Sequence, residues 1–273
     1  GETVFIDEYG VTQKYESLES MHTPEQIDFT VKNVDDWKKI KMRLAPGKDR
    51  ISEQALKSWK QSIRERKKFF VVCVPGIFFS CARTVGFVNA LEHMLLEPDW
   101  MKEMALTYAE LIRKMLELIW NEGIEWDGIF MDEDIAYKNG VMFSPDTYRE
   151  IIMPAHEMLF ECVHGHNGHV IHHSDGNMMK IIPLLIEAGV DVTQPLQNVE
   201  GMTARGLVDA FGDRIVYMGN LNVRVLESGD KEKIENEVKN KFSIFPHSRY
   251  IMDSDGSITN EVSWESYKFF MDC

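Results

Sequence analysis

Polar residues recur at a spacing of two after several short apolar segments of this chain. Because side chains on a strand alternate between its two faces, residues i and i+2 point the same way. A His and a carboxylate at this spacing are suited to general acid–base catalysis or to binding a metal ion. The pairs are Asp132/Asp134, His173/Asp175, Asn220/Asn222 and Asp253/Asp255, and Gln194 and Gln197 follow a fifth segment.

Each of these pairs also has a structural explanation. Asp, Asn and Ser residues after a strand often cap the helix that follows. The pair His173 and Asp175 is less easily explained in this way, because a His and a carboxylate share one face. We therefore expect this pair to be functional.

The segment before Asp175 is rich in histidine, but only His173 is well placed for chemistry. His164 and His166 fall at a predicted helix end, where His interacts favourably with the helix dipole. His169 begins the predicted strand, at the end opposite to the site, and His172 points to the face opposite His173. A metal site made of the whole segment is therefore not predicted.

Short apolar segments alternate with long amphipathic ones through most of the chain, and the clearest amphipathic helix is predicted over 99–121. The strand segments are apolar on both faces, as in parallel strands covered by helices. The repeating unit is therefore βα and favours a (β/α) barrel, in which functional residues lie at the carboxyl ends of the strands. The predicted strands are Phe69–Val74, Gly128–Met131, His169–His172, Val190–Thr193, Arg214–Met218 and Arg249–Met252.

The first part of the chain is less regular. Val4–Ile6 and Gly10–Thr12 predict short strands, Asn33 or Asp35 predicts the start of a helix that runs to Leu44, and residues 51–68 predict a basic helix. We therefore expect one barrel domain over 1–273, with an irregular part over 1–68 and regular βα units over 69–273. We also expect the first one or two strands of the barrel to be absent or replaced by the first 30 residues.

The 273-residue chain carries 30 Lys and Arg against 44 Asp and Glu, so its formal net charge is −14. Nucleic acids and anionic membranes attract basic surfaces, so neither is expected as a main partner. No apolar run reaches the roughly 18 residues of a membrane span, and the start of the sequence shows no signal-peptide pattern. The four Cys form no CxxC pair, which favours free thiols in a reducing cytoplasm.

Two residues after the first regular strand have open roles. Cys81 and Arg83 are predicted to lie in a strand-to-helix loop. Cys81 either lines the pocket or is simply buried. Arg83 either binds a substrate carboxylate or phosphate or forms a surface salt bridge. Cys73 and Cys162 are predicted to be core thiols.

Several motifs resemble those of the uroporphyrinogen decarboxylase superfamily. The resemblance begins at about Asp7 and runs to the C-terminus, and the order of the motifs is more specific than any one of them. The matching segments are Trp126–Gly140, Ser144–Arg149 with Pro154, His173–Asn177, Ile182-Pro183, Glu187–Asp191, Phe211–Asp213 and Gly219-Asn220.

The resemblance implies a (β/α)₈ barrel of the TIM type and one of two chemistries. One is cofactor-free decarboxylation of uroporphyrinogen in porphyrin biosynthesis. The other is zinc-assisted methyl transfer with corrinoid proteins, and this sequence looks more like that side, especially the O-demethylase branch. A substrate with eight carboxylates favours a basic cavity, whereas the predicted rim is acidic. Its carboxylates are Asp132, Asp134, Asp175, Asp253 and Asp255.

The sequence departs from one pattern that the resemblance implies. The coenzyme M methyltransferases bind zinc with a His-x-Cys pair and a later Cys. The matching residues here are His173 and Asp175, and the final strand offers Asp253 and Asp255 in place of the later Cys. Such a set would bind zinc as a harder Lewis acid, or no metal at all, so thiol activation is not expected. Polarising or protonating a methyl ether oxygen suits these groups.

The predicted function is transfer of a methyl group from a small methylated substrate, of the methoxy or methylamine type, to a corrinoid protein. The alternatives are uroporphyrinogen decarboxylase, which needs no cofactor, and a non-catalytic binding protein. A homodimer is also expected. The predicted catalytic residues are His173, Asp175 and Asp134, the metal ligands are His173, Asp175 and Asp255, and the substrate-binding residues are Tyr137, Arg83, Gln194, Gln197, Asn220 and Asn222.

Overall fold

The computed structural model describes residues 3–7, 9–15, 25–65 and 68–273, and these fall into two compact units. Unit 1 comprises residues 1–70, 75–127 and 146–162, and unit 2 comprises residues 71–74, 128–145 and 163–273.

The strands are β1 Thr3–Ile6, β2 Val11–Tyr15, β3 Glu25–Phe29, β4 Val71–Pro75, β5 Gly128–Asp132, β6 Ala136–Tyr137, β7 Gly140–Val141, β8 His169–His173, β9 Val192–Gln194, β10 Val216–Met218 and β11 Tyr250–Ile251. The α-helices are α1 Val34–Lys41, α2 Glu53–Arg64, α3 Ile77–Val85, α4 Phe87–Leu96, α5 Pro98–Asn121, α6 Pro145–Thr147, α7 Met153–Gly165, α8 Ile182–Ala188, α9 Ala204–Phe211, α10 Val223–Glu227, α11 Lys231–Ile244 and α12 Trp264–Asp272.

The six-stranded sheet of unit 2 has the strand order β11-β10-β9-β8-β5-β4, and all six strands predicted from the apolar segments are present. The pairs β5–β8, β8–β9, β9–β10 and β10–β11 are parallel. The predicted α/β class with a parallel sheet is confirmed. In the register of the sheet, Asp132 lies opposite His173 and His173 opposite Gln194, so the carboxyl ends of three neighbouring strands are level.

The interior of unit 2 explains why its strands are apolar on both faces. Val170 and Ile171, which are consecutive in β8 and point to opposite faces of the sheet, are both buried, as are Ile129 and Met131 of β5. A second cluster of buried side chains joins helices α10, α11 and α12 through Leu226, Ile234 and Phe270. Burying one such side chain stabilises the fold by about 1.5–3 kcal/mol. The sheet is therefore a rigid support for the polar residues at its strand ends.

Unit 1 begins with an antiparallel sheet in which β2 pairs with both β1 and β3. Asn33 caps α1 by accepting hydrogen bonds from the backbone N–H groups of Asp35 and Asp36, which decides between the two predicted caps. The predicted long helix is α5. Its buried stripe, which includes Met104 and Tyr108, faces the interior of the unit.

The structure corrects several details of the sequence prediction. Cys81 and Arg83 lie within helix α3 and not in a loop. Ile77, Cys81 and Val85 are buried at helical spacing, which is why this segment folds as a helix. Cys73 is exposed, so it is not a core thiol. Among the described helices, none has the length and apolar character needed to span a membrane.

Gly219, directly after β10, is a position where the fold requires glycine. Its φ is +107°, and a Cβ there would overlap the carbonyl oxygen of Pro195. We expect Gly219→Ala to lower the free energy of unfolding by about 1–3 kcal/mol from backbone strain alone, and by more because of the overlap. Gly212→Ala is the matched control, since Gly212 has a φ of +60° and open space around it. Urea unfolding that shows equal losses for the two variants would contradict this prediction.

Candidate functional site

The carboxyl ends of β5 and β8 bring three of the predicted catalytic residues together. His173 is the last residue of β8, and its Nε2 atom lies 3.9 Å from one carboxylate oxygen of Asp132 and 3.9 Å from one of Asp134. Asp134, His173 and Asp175 each offer a ligand atom, and these three atoms lie within 4.8 Å of one another. The shared strand register produces this group, since Asp132 and His173 are level in the sheet.

The ring of His173 is held by neighbouring strand ends. Its Nδ1 atom lies 2.5 Å from Oε1 of Gln194, and Nε2 of Gln194 donates a hydrogen bond to Asp253 over 2.9 Å. Because the amide N–H of Gln194 donates to Asp253, its oxygen faces the histidine and accepts a hydrogen bond from the Nδ1–H group of His173. His173 therefore carries a proton on Nδ1, and its Nε2 atom lies on the side of Asp132 and Asp134.

Within the group, Asp175 has the carboxylate whose negative charge is least stabilised by its surroundings. Its backbone N–H donates to Asp134 over 2.9 Å, but its own buried Oδ1 atom accepts no hydrogen bond from the residues that the structure describes. Burial raises the pKa of Asp175, the nearby charge of Asp134 raises it further, and smaller contributions come from Asp255 and Asp132. His173 acts in the opposite direction. Asp175 is thus suited to hold a proton or to bind a cation.

A small cavity of about 280 Å³ opens beside this group. Its walls contain no Lys or Arg from the described part of the chain. The lining residues are His173, Asp175, Gln194, Pro195, Asp253, Ser254, Gly256, Ser257 and Ile258. A larger groove of about 700 Å³ lies in unit 1 between α1 and α5, but its lining contains none of these polar residues. We therefore place the candidate site at the smaller cavity.

The residues of this group fit a divalent cation of the zinc type. One imidazole nitrogen and two carboxylates are a donor set that zinc accepts. A metal-bound His normally donates its other ring N–H to an oxygen, as His173 does to Gln194. One of the two carboxylates, that of Asp175, has a buried Oδ1 atom that accepts no hydrogen bond from the described residues.

Asp255 is placed differently from the other predicted metal ligands. It is 8% exposed, and its two carboxylate oxygens accept hydrogen bonds from the backbone N–H groups of Val223, at 2.9 Å, and Asn198, at 3.3 Å. These bonds hold together the loops that follow β9 and β10. Asp134, and not Asp255, shares the three-residue group with His173 and Asp175.

A family model described as uroporphyrinogen decarboxylase (URO-D) matches residues 3–273. The chain belongs to the uroporphyrinogen decarboxylase family. The predicted resemblance is confirmed. A solved structure of a methyltransferase from Methanosarcina mazei aligns with a TM-score of 0.67 and 15% sequence identity, over 92% of this chain and 71% of that chain. Among curated proteins, no significant match is found.

These comparisons also bear on the fold class. The uroporphyrinogen decarboxylase family and the structural likeness confirm the predicted TIM-barrel class of fold. The described residues contribute the six-stranded parallel sheet. The strands predicted at 4–6 and 10–12 are present as β1 and β2, but they belong to the separate antiparallel sheet.

The predicted substrate-binding residues of this family member are not all at the cavity. Gln194 lines it, and Gln197 lies next to it, where Oε1 accepts a hydrogen bond from the backbone of Gly176 over 2.9 Å. Tyr137 is exposed on β6. Arg83 lies in unit 1, with its guanidinium 4.4 Å from the centre of the Phe79 ring, so the structure gives it a stacking contact.

Two predicted asparagines have structural contacts. Asn220 is fully buried, and its side-chain N–H groups donate to the carbonyl oxygens of Leu196 and Met202. Its Oδ1 atom accepts a hydrogen bond from Lys241 over 3.1 Å. Asn222 is the N-cap of α10. Because Asn220 is buried and Asn222 caps a helix, neither residue is part of the site that we propose.

Sequence reasoning missed a buried pair on the other face of the same strands. His172 Nε2 lies 3.1 Å from a carboxylate oxygen of Glu133, and both side chains are fully buried. The alternation that places His172 opposite to His173 also places Glu133 opposite to Asp132 and Asp134. The same alternation could therefore have identified Glu133 as a residue on the buried face beside His172.

Proposed function

We propose that this protein transfers a methyl group from a small methylated substrate, of the methoxy or methylamine type, to a corrinoid protein. The observation that carries the proposal is the group of Asp134, His173 and Asp175 beside a small acidic cavity. The likeness in fold to a methyltransferase supports it.

The reaction that we propose breaks the bond between the methyl carbon and the oxygen or nitrogen of the substrate. That heteroatom keeps the electron pair. An ether oxygen must be stabilised or protonated as it leaves, whereas a methylammonium already carries its proton and leaves as the neutral amine. Asp175 is a suitable proton donor because its pKa is raised, and the Gln194 and Asp253 contacts orient the His173 ring. A zinc ion bound by Asp134, His173 and Asp175 would instead polarise the heteroatom as a Lewis acid. A reduced corrinoid on the partner protein would supply the nucleophile.

Charge and size argue against the rival decarboxylase function. Uroporphyrinogen carries eight carboxylates, whereas Asp175 and Asp253 line the cavity and Asp132, Asp134 and Asp255 lie near it. Like charges would repel this substrate. The cavity of about 280 Å³ is also below the range of roughly 300–1,000 Å³ that drug-sized ligands occupy, and a tetrapyrrole is larger than these.

Methyl transfer to cob(I)alamin, measured with a panel of methoxyaromatics and methylamines, tests the proposal. Metal analysis of the purified protein would distinguish a zinc-dependent reaction from one that uses proton transfer alone. Formation of coproporphyrinogen from uroporphyrinogen would establish the decarboxylase instead. If neither activity is found with the intact protein, the non-catalytic binding function is favoured.

The acidic cavity predicts a preference among methyl donors. Cationic methylammonium and neutral methoxy substrates should be used with a kcat/KM at least about tenfold higher than that of methoxybenzoates, because the surrounding carboxylates repel an anion. The difference should shrink as ionic strength rises, since salt screens exposed charges. A preference for the anionic substrates would contradict this interpretation of the cavity.

Gln194 tests the orientation of the histidine. We expect Gln194→Ala to lower kcat, or zinc affinity, by about 10–100-fold, because His173 loses the acceptor that fixes its tautomer. Gln194→Glu retains an acceptor and should recover part of the loss. Gln197→Ala is the control, since its side chain binds the backbone of Gly176 and not the histidine. Equal effects of Gln194→Ala and Gln197→Ala would argue against an orienting role.

A further inference from the structure

We propose that Ile258 determines which methyl donors the cavity accepts, by limiting the size of the carbon body that is attached to the reacting group. This inference rests on the proposed methyl transfer and adds to it a residue outside the group of Asp134, His173 and Asp175. Ile258 lies in the segment 253–258, which follows β11 and lines the cavity of about 280 Å³.

The cavity has a polar part and an apolar part. His173 and Asp175 supply the ring nitrogen and the carboxylate that the proposed reaction uses. Among the described residues that line the cavity, Pro195 and Ile258 carry the apolar side chains, and the others are polar or glycine. A methyl ether or a methylamine likewise has a polar heteroatom and an apolar carbon body. With the heteroatom at His173 and Asp175, the carbon body is expected to contact Pro195 and Ile258, because apolar surfaces associate in water.

Pro195 is the fixed part of this apolar surface. Its carbonyl oxygen accepts a hydrogen bond from the backbone N–H of Asn220 over 2.8 Å, and a Cβ at Gly219 would overlap that oxygen. Ile258, in contrast, is 41% exposed, so its side chain lies where the cavity meets the solvent. A different side chain at position 258 therefore changes the size of the cavity without disturbing the core.

The segment that carries Ile258 is anchored just before it. Ser254 is buried, and its hydroxyl donates a hydrogen bond to the carbonyl oxygen of Gly256 over 2.6 Å. The backbone N–H of Asp255 donates to the carbonyl oxygen of Leu221 over 2.7 Å. A wall held in this way can exclude a carbon body that is too large, because the cost of displacing the wall would be subtracted from the affinity.

Two neutral aryl methyl ethers test the role of Ile258. Methoxybenzene and 2-methoxynaphthalene carry the same reacting group and differ in the size of the carbon body. Ile258→Ala should weaken the binding of methoxybenzene, which loses an apolar contact, and strengthen that of 2-methoxynaphthalene, which gains space. The ratio of the two Kd values should change by at least about tenfold, as expected for altering an apolar pocket by a methylene or more. Ile258→Val should change the ratio in the same direction by a smaller factor.

Equilibrium dialysis of the full chain with each ether measures binding without turnover. Ile251→Ala is the matched control, because Ile251 is 42% exposed on β11 and is not among the described residues that line the cavity. It should leave the ratio of the Kd values unchanged. Since both isoleucines are partly exposed, the variants should fold, and their Tm values check this.

The outcomes separate this inference from the methyl-transfer proposal. If Ile258→Ala changes the two affinities by the same factor, or if Ile251→Ala changes their ratio equally, the inference is overturned. It is also overturned if the unchanged protein binds neither ether. Opposite changes in the two affinities, without methyl transfer from either ether or any other donor to cob(I)alamin, would count against the proposed function and leave Ile258 as the residue that selects ligands by size.

Discussion

Replacing His173 with alanine is expected to lower the rate of methyl transfer by about 10²–10⁴-fold, which is the usual contribution of a positioned acid–base group. The reason is geometric, since Nε2 of His173 faces Asp132 and Asp134 while Gln194 holds its other ring nitrogen. Without the imidazole, the group keeps two carboxylates and loses its nitrogen ligand. Single-turnover methyl transfer to cob(I)alamin and metal analysis of the same sample would measure both losses.

His169→Ala is the matched control for this experiment, because His169 lies at the opposite end of the same strand. It should leave the methyl-transfer rate unchanged. Circular dichroism and Tm must show that His173→Ala is folded before its rate is interpreted. A folded His173→Ala variant with full activity and unchanged metal content would remove the proposed site from consideration.

Replacing Asn220 with alanine is expected to lower the free energy of unfolding by about 3–5 kcal/mol. The change removes two hydrogen bonds to backbone carbonyls and the acceptor for the buried ammonium of Lys241. Lys241 is 5% exposed and, among the described residues, would keep only Glu237, at 3.2 Å, as a partner. Asn220 also has a φ of +60°, which alanine tolerates less well than asparagine. Urea unfolding monitored by tryptophan fluorescence would measure the loss.

Asn222→Ala provides the comparison two residues away. Asn222 caps the short helix α10, so its loss should cost only about 0.5–2 kcal/mol. The comparison also distinguishes the structural role of Asn220 from the substrate contact predicted from sequence. If Asn220→Ala unfolds like the natural sequence and only raises KM, then Asn220 binds substrate and our structural interpretation is wrong.

The strands of the parallel sheet could be predicted from sequence because they are short, apolar and separated by helical segments. Helix α3 could not, because Gly76 and the apolar residues after it read equally well as a loop that lines a pocket. Its helical identity depends on burial of Ile77 and Cys81, which is a tertiary property. The uncertain interpretation of Cys81 followed directly from this ambiguity.

The candidate site, like the fold, could be predicted from the sequence only in part. The spacing of two identified His173 and Asp175, but it also identified Asn220 and Asn222, which look the same in the sequence. The difference lies in the backbone groups that neighbouring loops present. Two carbonyls meet the amide of Asn220, and two N–H groups meet the carboxylate of Asp255. Such long-range partners leave no pattern near the residue itself.

The hydrogen bonds that join His173 to Gln194 and Gln194 to Asp253 have a consequence for biosynthesis. Asp253 follows β11, the last strand of the sheet in chain order, so it leaves the ribosome long after His173. Until that strand has joined the sheet, Asp253 cannot hold the Gln194 amide in its orientation toward the histidine. A nascent chain that has completed β5, β8 and β9 would hold all three residues of the group without the contact that orients the Gln194 amide. The orientation of His173 by Gln194 and Asp253 is therefore expected to form late, as one of the last steps of folding after synthesis.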